Sequence, residues 1–167
     1  MTNEFVGKFK NCHPDSTFII FGCGPTVLSW SDDFSSGIKL GCNKFFMYDK
    51  DLDYLMIQDN GIFSSSPDCY IKNKQKYDEY EPRIHKLYGV KNPIEPHSMT
   101  ESDCKRANAV KFSYSNSKPK VNSYPFFNLR SVVFSAIQFS ILCGAKDVII
   151  VGCDITNGLR VGETKPH

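Results

Sequence analysis

The chain has 167 residues, which is enough for one domain with a substantial hydrophobic core but short for two domains. Charged residues make up 23% of the sequence and the formal net charge is +2, which argues against a nucleic-acid-binding surface and against a disordered chain. The seven cysteines include no Cys-x-x-Cys pair, and no apolar run approaches the ~18 residues of a membrane span, so we expect a reduced, soluble protein of the cytoplasm.

The first 26 residues predict a helix, a strand and a glycine-rich turn. Residues 2–11 favour a short helix, after which TFIIFGCGPT begins with a run of β-favouring residues. An unbroken apolar run of this length is typical of a strand buried on both faces in a parallel sheet. Gly22 and Gly24 allow a ligand to approach the backbone closely, and Pro25 suits the first position of a helix. The turn predicts either a nucleotide-binding loop or only a tight connection.

Two more strands are predicted before residue 61, over Ile38–Cys42 and Tyr54–Ile57. Each ends in small or amide-bearing residues. In an open parallel sheet, ligands bind outside the carboxyl ends of the strands. We therefore expect convergence of Gly24, Asn43 and either Asp59 or Asn60.

Residues 64–124 are polar and interrupted by prolines, which predicts an irregular insert or lid. Within this region we expect a helix over part of Lys74–Leu87 and a strand over Ala109–Tyr114. The segment 113–124 is predicted to be a loop, which is either a lid or a linker.

The last part of the chain predicts an apolar helix and a returning strand. Asn128 is a suitable N-cap, and Gly144 suits the position just after the helix. Val148–Val151 then predicts a second fully buried strand, which brings Asp154 to the same sheet edge as Gly24. The predicted fold is one α/β domain, residues 1–167, with a Rossmann-like, mostly parallel central sheet and helices on both faces.

Several common sites are excluded by their motifs. The turn GCGPT lacks the lysine of a phosphate-binding P-loop, and the third glycine of a dinucleotide-binding motif is missing. None of the four histidines has a metal-ligand spacing. Asp49-x-Asp51-x-Asp53 lacks the Gly and Glu of a calcium loop, so it is either a solvated turn or a simpler Asp-x-Asp ligand for a divalent ion.

The ordered set of motifs resembles a known family. These motifs are the GCGPT turn, the strand end CNKFF, a third strand ending in Asp and Asn, the helix LRSVVFSAIQFSILCGA and the strand end VGCD. Over about residues 17–156 the chain is similar to the nucleotide-sugar domain of the bacterial sialyltransferases of lipooligosaccharide synthesis. It is equally similar to the related 6-hydroxymethylpterin-pyrophosphokinase-like domains of unknown function.

The resemblance to sialyltransferases implies a glycosyltransferase that binds a nucleotide-activated sugar of the CMP-sugar type and a glycan acceptor, without a cofactor. It also implies direct displacement at the anomeric carbon, with a general base that the sequence does not identify; the candidates are Asp154 and His167. Cys23 replaces an asparagine of the family's turn, and Thr156 replaces a tyrosine. The candidate nucleotide-binding residues are Gly22, Cys23, Gly24, Pro25, Asn43, Asp59, Asn60, Ser131, Asp154 and Thr156.

Two alternatives to this function stay open. The first is pyrophosphoryl transfer to a pterin-like alcohol, which would need Mg²⁺ and ligands such as Asp59 and Asp154. The second is a nucleotide-binding domain without catalysis, because the family's catalytic histidine lies beyond the segment that this chain matches. The resemblance to sialyltransferases also implies that the chain is shortened at its C-terminus.

Overall fold

The structure, a computed structural model, describes residues 4–30, 36–48, 50–58, 79–91, 99–115, 124–127 and 131–154. Its strands are β1 (Thr17–Phe21), β2 (Ile38–Cys42), β3 (Tyr54–Ile57), β4 (His85–Lys91), β5 (Val110–Ser115), β6 (Phe126–Phe127) and β7 (Asp147–Val151). They form one seven-stranded sheet in the order β6-β5-β4-β3-β2-β1-β7, and every neighbouring pair is parallel. The predicted α/β, Rossmann-like fold is confirmed.

Helices cover both faces of this sheet. The described α-helices are α1 (Glu4–Phe9), α2 (Glu101–Arg106) and α3 (Val132–Leu142), and two 3₁₀ helices span Pro25–Ser29 and Asn43–Tyr48. One buried cluster joins α1 and α3 to the sheet, and a second cluster joins α2 and both 3₁₀ helices to the opposite face. No helix among the described residues is long and apolar enough to span a lipid bilayer.

The direction of the strand order reverses at β1. Strands β2 to β6 follow one another outward on one side of β1, whereas β7 lies on its other side. The 3₁₀ helix after β1 packs on one face of the sheet, and α3, which leads into β7, packs on the other. Such a reversal point is where open α/β sheets bind ligands, at the carboxyl ends of the strands.

The sequence of β1 explains its central position. Phe18 and Ile20 point toward α3, and Ile19 and Phe21 point toward the first 3₁₀ helix. None of these four side chains is more than 4% exposed. A strand without a polar face is stable only between two covering layers, as its composition predicts.

The expectation that Val148–Val151 is fully buried is wrong. Strand β7 lies at the end of the described sheet, beside β1, and the side chain of Ile150 is 44% exposed. Its register partner Ile20 is fully buried. An apolar run predicts a strand, but burial also depends on which elements cover it.

The expectation of an irregular insert over residues 64–124 needs correction wherever the structure describes this region. Strands β4 and β5 and helix α2 all lie within it and extend the sheet. Residues 85–87, part of the predicted helix Lys74–Leu87, belong to strand β4 instead. Thr100 caps α2 in a reciprocal capping box with Asp103, which the sequence analysis missed. The strand predicted at Ala109–Tyr114 is confirmed as β5.

Candidate functional site

The turns after β1 and β7 pack directly against each other. The backbone amide of Gly22 donates to the carbonyl of Val151 at 2.8 Å, and that of Gly24 donates to the carbonyl of Gly152 at 2.7 Å. A Cβ atom on Gly24 would lie 2.1 Å from the Asp154 carboxylate, and one on Gly22 would lie 2.3 Å from the Gly152 carbonyl. The glycines therefore permit a close approach between two turns of the protein itself. The structure brings Gly22, Gly24 and Asp154 together at the carboxyl edge.

Asp154 holds the start of the first 3₁₀ helix. Its carboxylate accepts hydrogen bonds from the Thr26 hydroxyl at 2.8 and 3.0 Å and from the Thr26 amide at 3.1 Å. Pro25 occupies the start of this helix, where the lack of an amide hydrogen is harmless. Asp154 is thus anchored through both carboxylate oxygens. Thr26 was not among the predicted site residues, although a hydroxyl beside a helix start is a recognisable signal.

Cys23 connects the turn after β1 to the end of β2. Its thiol donates to the carbonyl of Cys42 at 3.2 Å, and its own carbonyl accepts from the Tyr48 hydroxyl at 3.5 Å. Burial, together with the neighbouring Cys23 and Asp154, raises the pKa of Tyr48 to about 12. At neutral pH Tyr48 therefore keeps its hydroxyl hydrogen, which it donates to the Cys23 carbonyl. Sequence reasoning missed Tyr48, because no pattern predicts which residue of CNKFFMY turns toward the edge.

Asn43 begins the second 3₁₀ helix directly after β2. Its backbone has a φ of +48°, in the left-handed region that asparagine tolerates better than most residues. Its side-chain oxygen accepts from the amide of Gln58 at 3.5 Å, so the side chain leans toward the end of β3. Among the described residues, the amide nitrogen of Asn43 has no hydrogen-bond partner. This half-buried amide leaves a donor available at the carboxyl edge.

The first turn of α3 reaches the same edge. Ser131 is the N-cap residue in an extended conformation, and its hydroxyl does not cap the helix. One turn later the buried Ser135 hydroxyl accepts a hydrogen bond from the side-chain amide of Gln58, the residue that follows β3. The Gln58 carbonyl in turn accepts from the Tyr114 hydroxyl at 3.3 Å. These contacts place Ser131 near the end of β3. Gln58, which connects α3 to the end of β3, was not among the predicted site residues.

A cleft of about 280 Å³ lies on the sheet face that the first 3₁₀ helix covers, between the end of β1 and the starts of β2 and β3. This volume is close to the lower end of the ~300–1,000 Å³ of typical small-molecule sites. Aromatic, aliphatic and charged side chains line it together, namely Phe21, Val27, Trp30, Phe45, Lys39, Lys50 and Asp51.

The remaining predictions have different outcomes. Asp59, Asn60, Thr156 and His167 lie outside the described residues. No group of three or more histidine, cysteine or acidic side chains within the described ranges has a geometry that could hold a metal ion.

Asp53 of the Asp-x-Asp stretch lies before β3, where its carboxylate accepts from the Lys39 amide at 2.8 Å and pairs with Arg83 at 3.3 Å. These contacts tie the starts of β2, β3 and β4 together.

Comparison with known proteins identifies no relative for this arrangement. No family model matches the sequence, and neither a curated protein nor a solved structure matches it.

Proposed function

We propose that the chain is a sialyltransferase-like glycosyltransferase domain that binds a CMP-type nucleotide sugar at the carboxyl edge of its sheet. The observation that carries this proposal is the reversal of strand order between β1 and β7, where Gly24 and Asp154 meet. The crevice outside such a reversal is the usual ligand site of open α/β sheets. Residues that the resemblance assigns to the nucleotide, Asn43 and Ser131, lie at this same edge.

The chemistry of these groups suits a nucleoside monophosphate. The amide nitrogen of Asn43, which has no hydrogen-bond partner among the described residues, is a donor for a ribose hydroxyl or a base edge. The eleven-residue helix α3 presents its N-terminus, with the Ser131 hydroxyl not used as a cap, where a phosphate would gain from the helix dipole. The aromatic walls of the neighbouring cleft, near the end of β1, fit a flat base.

Sugar transfer would proceed by attack of an acceptor hydroxyl on the anomeric carbon, with a base taking up the proton. Among the described residues, Asp154 is the candidate that the sequence identified. Because both of its oxygens accept from Thr26, we assign it to positioning of the turn after β1. The base is then sought outside the described residues, where His167 is the remaining candidate.

A thermal-shift screen tests the proposal against its alternatives. Ligands that bind only the folded state stabilise it by about 2.7 kcal/mol at 100 times Kd, which is a rise of several degrees in Tm for a chain of this size. Stabilisation by CMP without metal supports the proposal, and CMP-sugar hydrolysis or transfer would add catalysis to binding. Stabilisation by ATP only with Mg²⁺ would favour the pyrophosphokinase function, and no response to any nucleotide would contradict both.

A further inference from the structure

Two loops are held together at the amino edge of the sheet, opposite the candidate site. The loop between α1 and β1 donates from the amide of Asn11 to the carbonyl of Leu142, and from the amide of His13 to the carbonyl of Cys143, both at 2.9 Å. A Cβ atom on Gly144 would lie only 3.5 Å from the α-carbon of Asn11. The chain before β1 is therefore fixed against the chain after α3.

Cys12 and Cys143 face each other across this contact. A hydrogen bond of 2.9 Å joins the amide nitrogen of His13 to the carbonyl oxygen of Cys143. The nitrogen is two covalent bonds from the α-carbon of Cys12, and the oxygen is two covalent bonds from the α-carbon of Cys143. A disulfide spans α-carbons about 4.4–6.8 Å apart, a separation that this arrangement can meet. Burial raises the pKa of the Cys143 thiol, and the Cys12 thiol raises it further by repulsion and by a hydrogen bond. The two cysteines are thus neighbours across this backbone contact.

The hydroxyl of Tyr54 marks where these thiols lie. It bonds to Nε2 of His13 at 2.7 Å. Tyr54 and Cys143 belong to the same buried cluster, and burial raises the pKa of Tyr54, with a further rise from the Cys12 and Cys143 thiols. Cys12 is exposed at the surface, whereas Cys143 has no exposed area. One cysteine is open to a reagent, and the other is buried.

We propose that Cys12 and Cys143 form a dithiol that oxidises to an intramolecular disulfide with a small-molecule disulfide such as oxidised glutathione. The Cys12 thiolate attacks one glutathione sulfur, forms a mixed disulfide and releases one glutathione. Cys143, which its raised pKa keeps protonated at rest, then loses its proton as it attacks the Cys12 sulfur and releases the second glutathione. One glutathione disulfide is reduced, the dithiol is oxidised, and the two cysteine protons end on the two released thiols.

The bond would link the two ends of the described fold. It closes a loop of roughly 130 residues, and in the chain-entropy account long loops give the largest loss of unfolded-state freedom. For a chain of this size we expect a rise in Tm on the order of 10 °C on oxidation, reversed by dithiothreitol.

The test is oxidation of the reduced, folded chain in glutathione buffers of increasing oxidised fraction, followed by alkylation, digestion and mass spectrometry. We expect a peptide that joins Cys12 to Cys143 and a parallel rise in Tm. Cys12→Ser, an exposed position, should abolish both effects. Cys104→Ser, on the opposite face of the sheet, should leave the cross-link intact.

Two results would overturn the proposal. One is a chain that carries glutathione on Cys12 but never forms the cross-link, even at a high oxidised fraction. The other is a cross-link between Cys12 and a different cysteine, or one that appears only in denaturant.

Discussion

The carboxylate of Asp154 accepts hydrogen bonds from both the hydroxyl and the backbone amide of Thr26, at 2.8 and 3.1 Å. Asp154 follows β7 and Thr26 follows β1, so this contact joins the two strands between which the strand order reverses. Because the first and last described strands meet there, this contact fixes the geometry of the candidate site. It also explains why the 3₁₀ helix starts at Pro25.

The energy of this contact can be measured with a double-mutant cycle. Asp154→Ala should lower the free energy of unfolding by about 1–2 kcal/mol, and Thr26→Val by about 0.5–1.5 kcal/mol. We expect the double variant to cost little more than Asp154→Ala alone, because the hydroxyl bonds to this carboxylate. Urea denaturation of the four proteins gives the coupling energy. Additive effects would show that the contact contributes nothing.

The glycine that follows β7 is predicted to be indispensable to folding stability. Gly152 has a φ of +69°, and a Cβ atom there would lie 2.1 Å from Cγ2 of Val27. Strain and overpacking together should make Gly152→Ala about 2–4 kcal/mol less stable. Gly7→Ala is the matched control, since nothing lies within 4 Å of a Cβ atom at that helical position. It should be neutral or stabilising by up to about 1 kcal/mol. Equal losses in both variants would refute this explanation.

Because β7 lies at the end of the described sheet, we expect substitutions at two isoleucines that are register partners to lower the stability by unequal amounts. Ile20 is fully buried, whereas its register partner Ile150 is 44% exposed. Ile20→Ala should cost about 2–5 kcal/mol of stability, and Ile150→Ala about 1 kcal/mol or less. Chemical denaturation of both variants checks the difference. A large loss at Ile150 would mean that β7 is covered in solution.

The sequence predicts β2 and β3 with the bounds that the structure has, because β2 alternates between apolar and other residues and β3 is a short apolar run. It does not predict β4, whose ends carry His85, Lys86 and Lys91. Lys86 is nevertheless buried, and its ammonium group pairs with Glu81 at 3.1 Å. In a sequence, a lysine predicts an exposed position. Only the tertiary structure shows that Glu81 pairs with Lys86 and allows it to be buried.

The candidate site shows the same division between local and tertiary information. The pairing of Gly24 with Asp154 follows from strand ends and a parallel sheet, so sequence patterns predict it. The contributions of Thr26, Tyr48 and Gln58 depend on side-chain directions within short 3₁₀ helices and loops. No periodicity encodes those directions. The functions of Gly22 and Gly24 also differ from the simplest expectation, since the space beside them is occupied by the turn after β7.

His85 is predicted to make stability depend on pH. Burial lowers its pKa below the ordinary ~6.5, and the charge of Lys8 lowers it further. Between the two pKa values the unfolded chain binds more protons than the folded chain, so stability rises with pH through this window and falls on acidification. His85→Gln should flatten the dependence of the urea midpoint on pH as the pH falls below ~6.5, the ordinary pKa of histidine. An unchanged slope would mean that His85 titrates normally in the folded protein.

The central claim is that a nucleotide binds at the carboxyl edge, and calorimetric titration of CMP into an Asn43→Gly variant tests it most directly. Glycine keeps the left-handed backbone at φ +48° and removes only the side chain. Asn108→Gly, at φ +50° before β5, is the matched control. We predict that wild type and Asn108→Gly bind CMP without added metal and that Asn43→Gly binds it about 1–3 kcal/mol more weakly, roughly 5–150-fold in Kd, at nearly unchanged stability. Equal affinity in all three proteins, or no binding by the wild type at millimolar CMP, would contradict a nucleotide site at this edge.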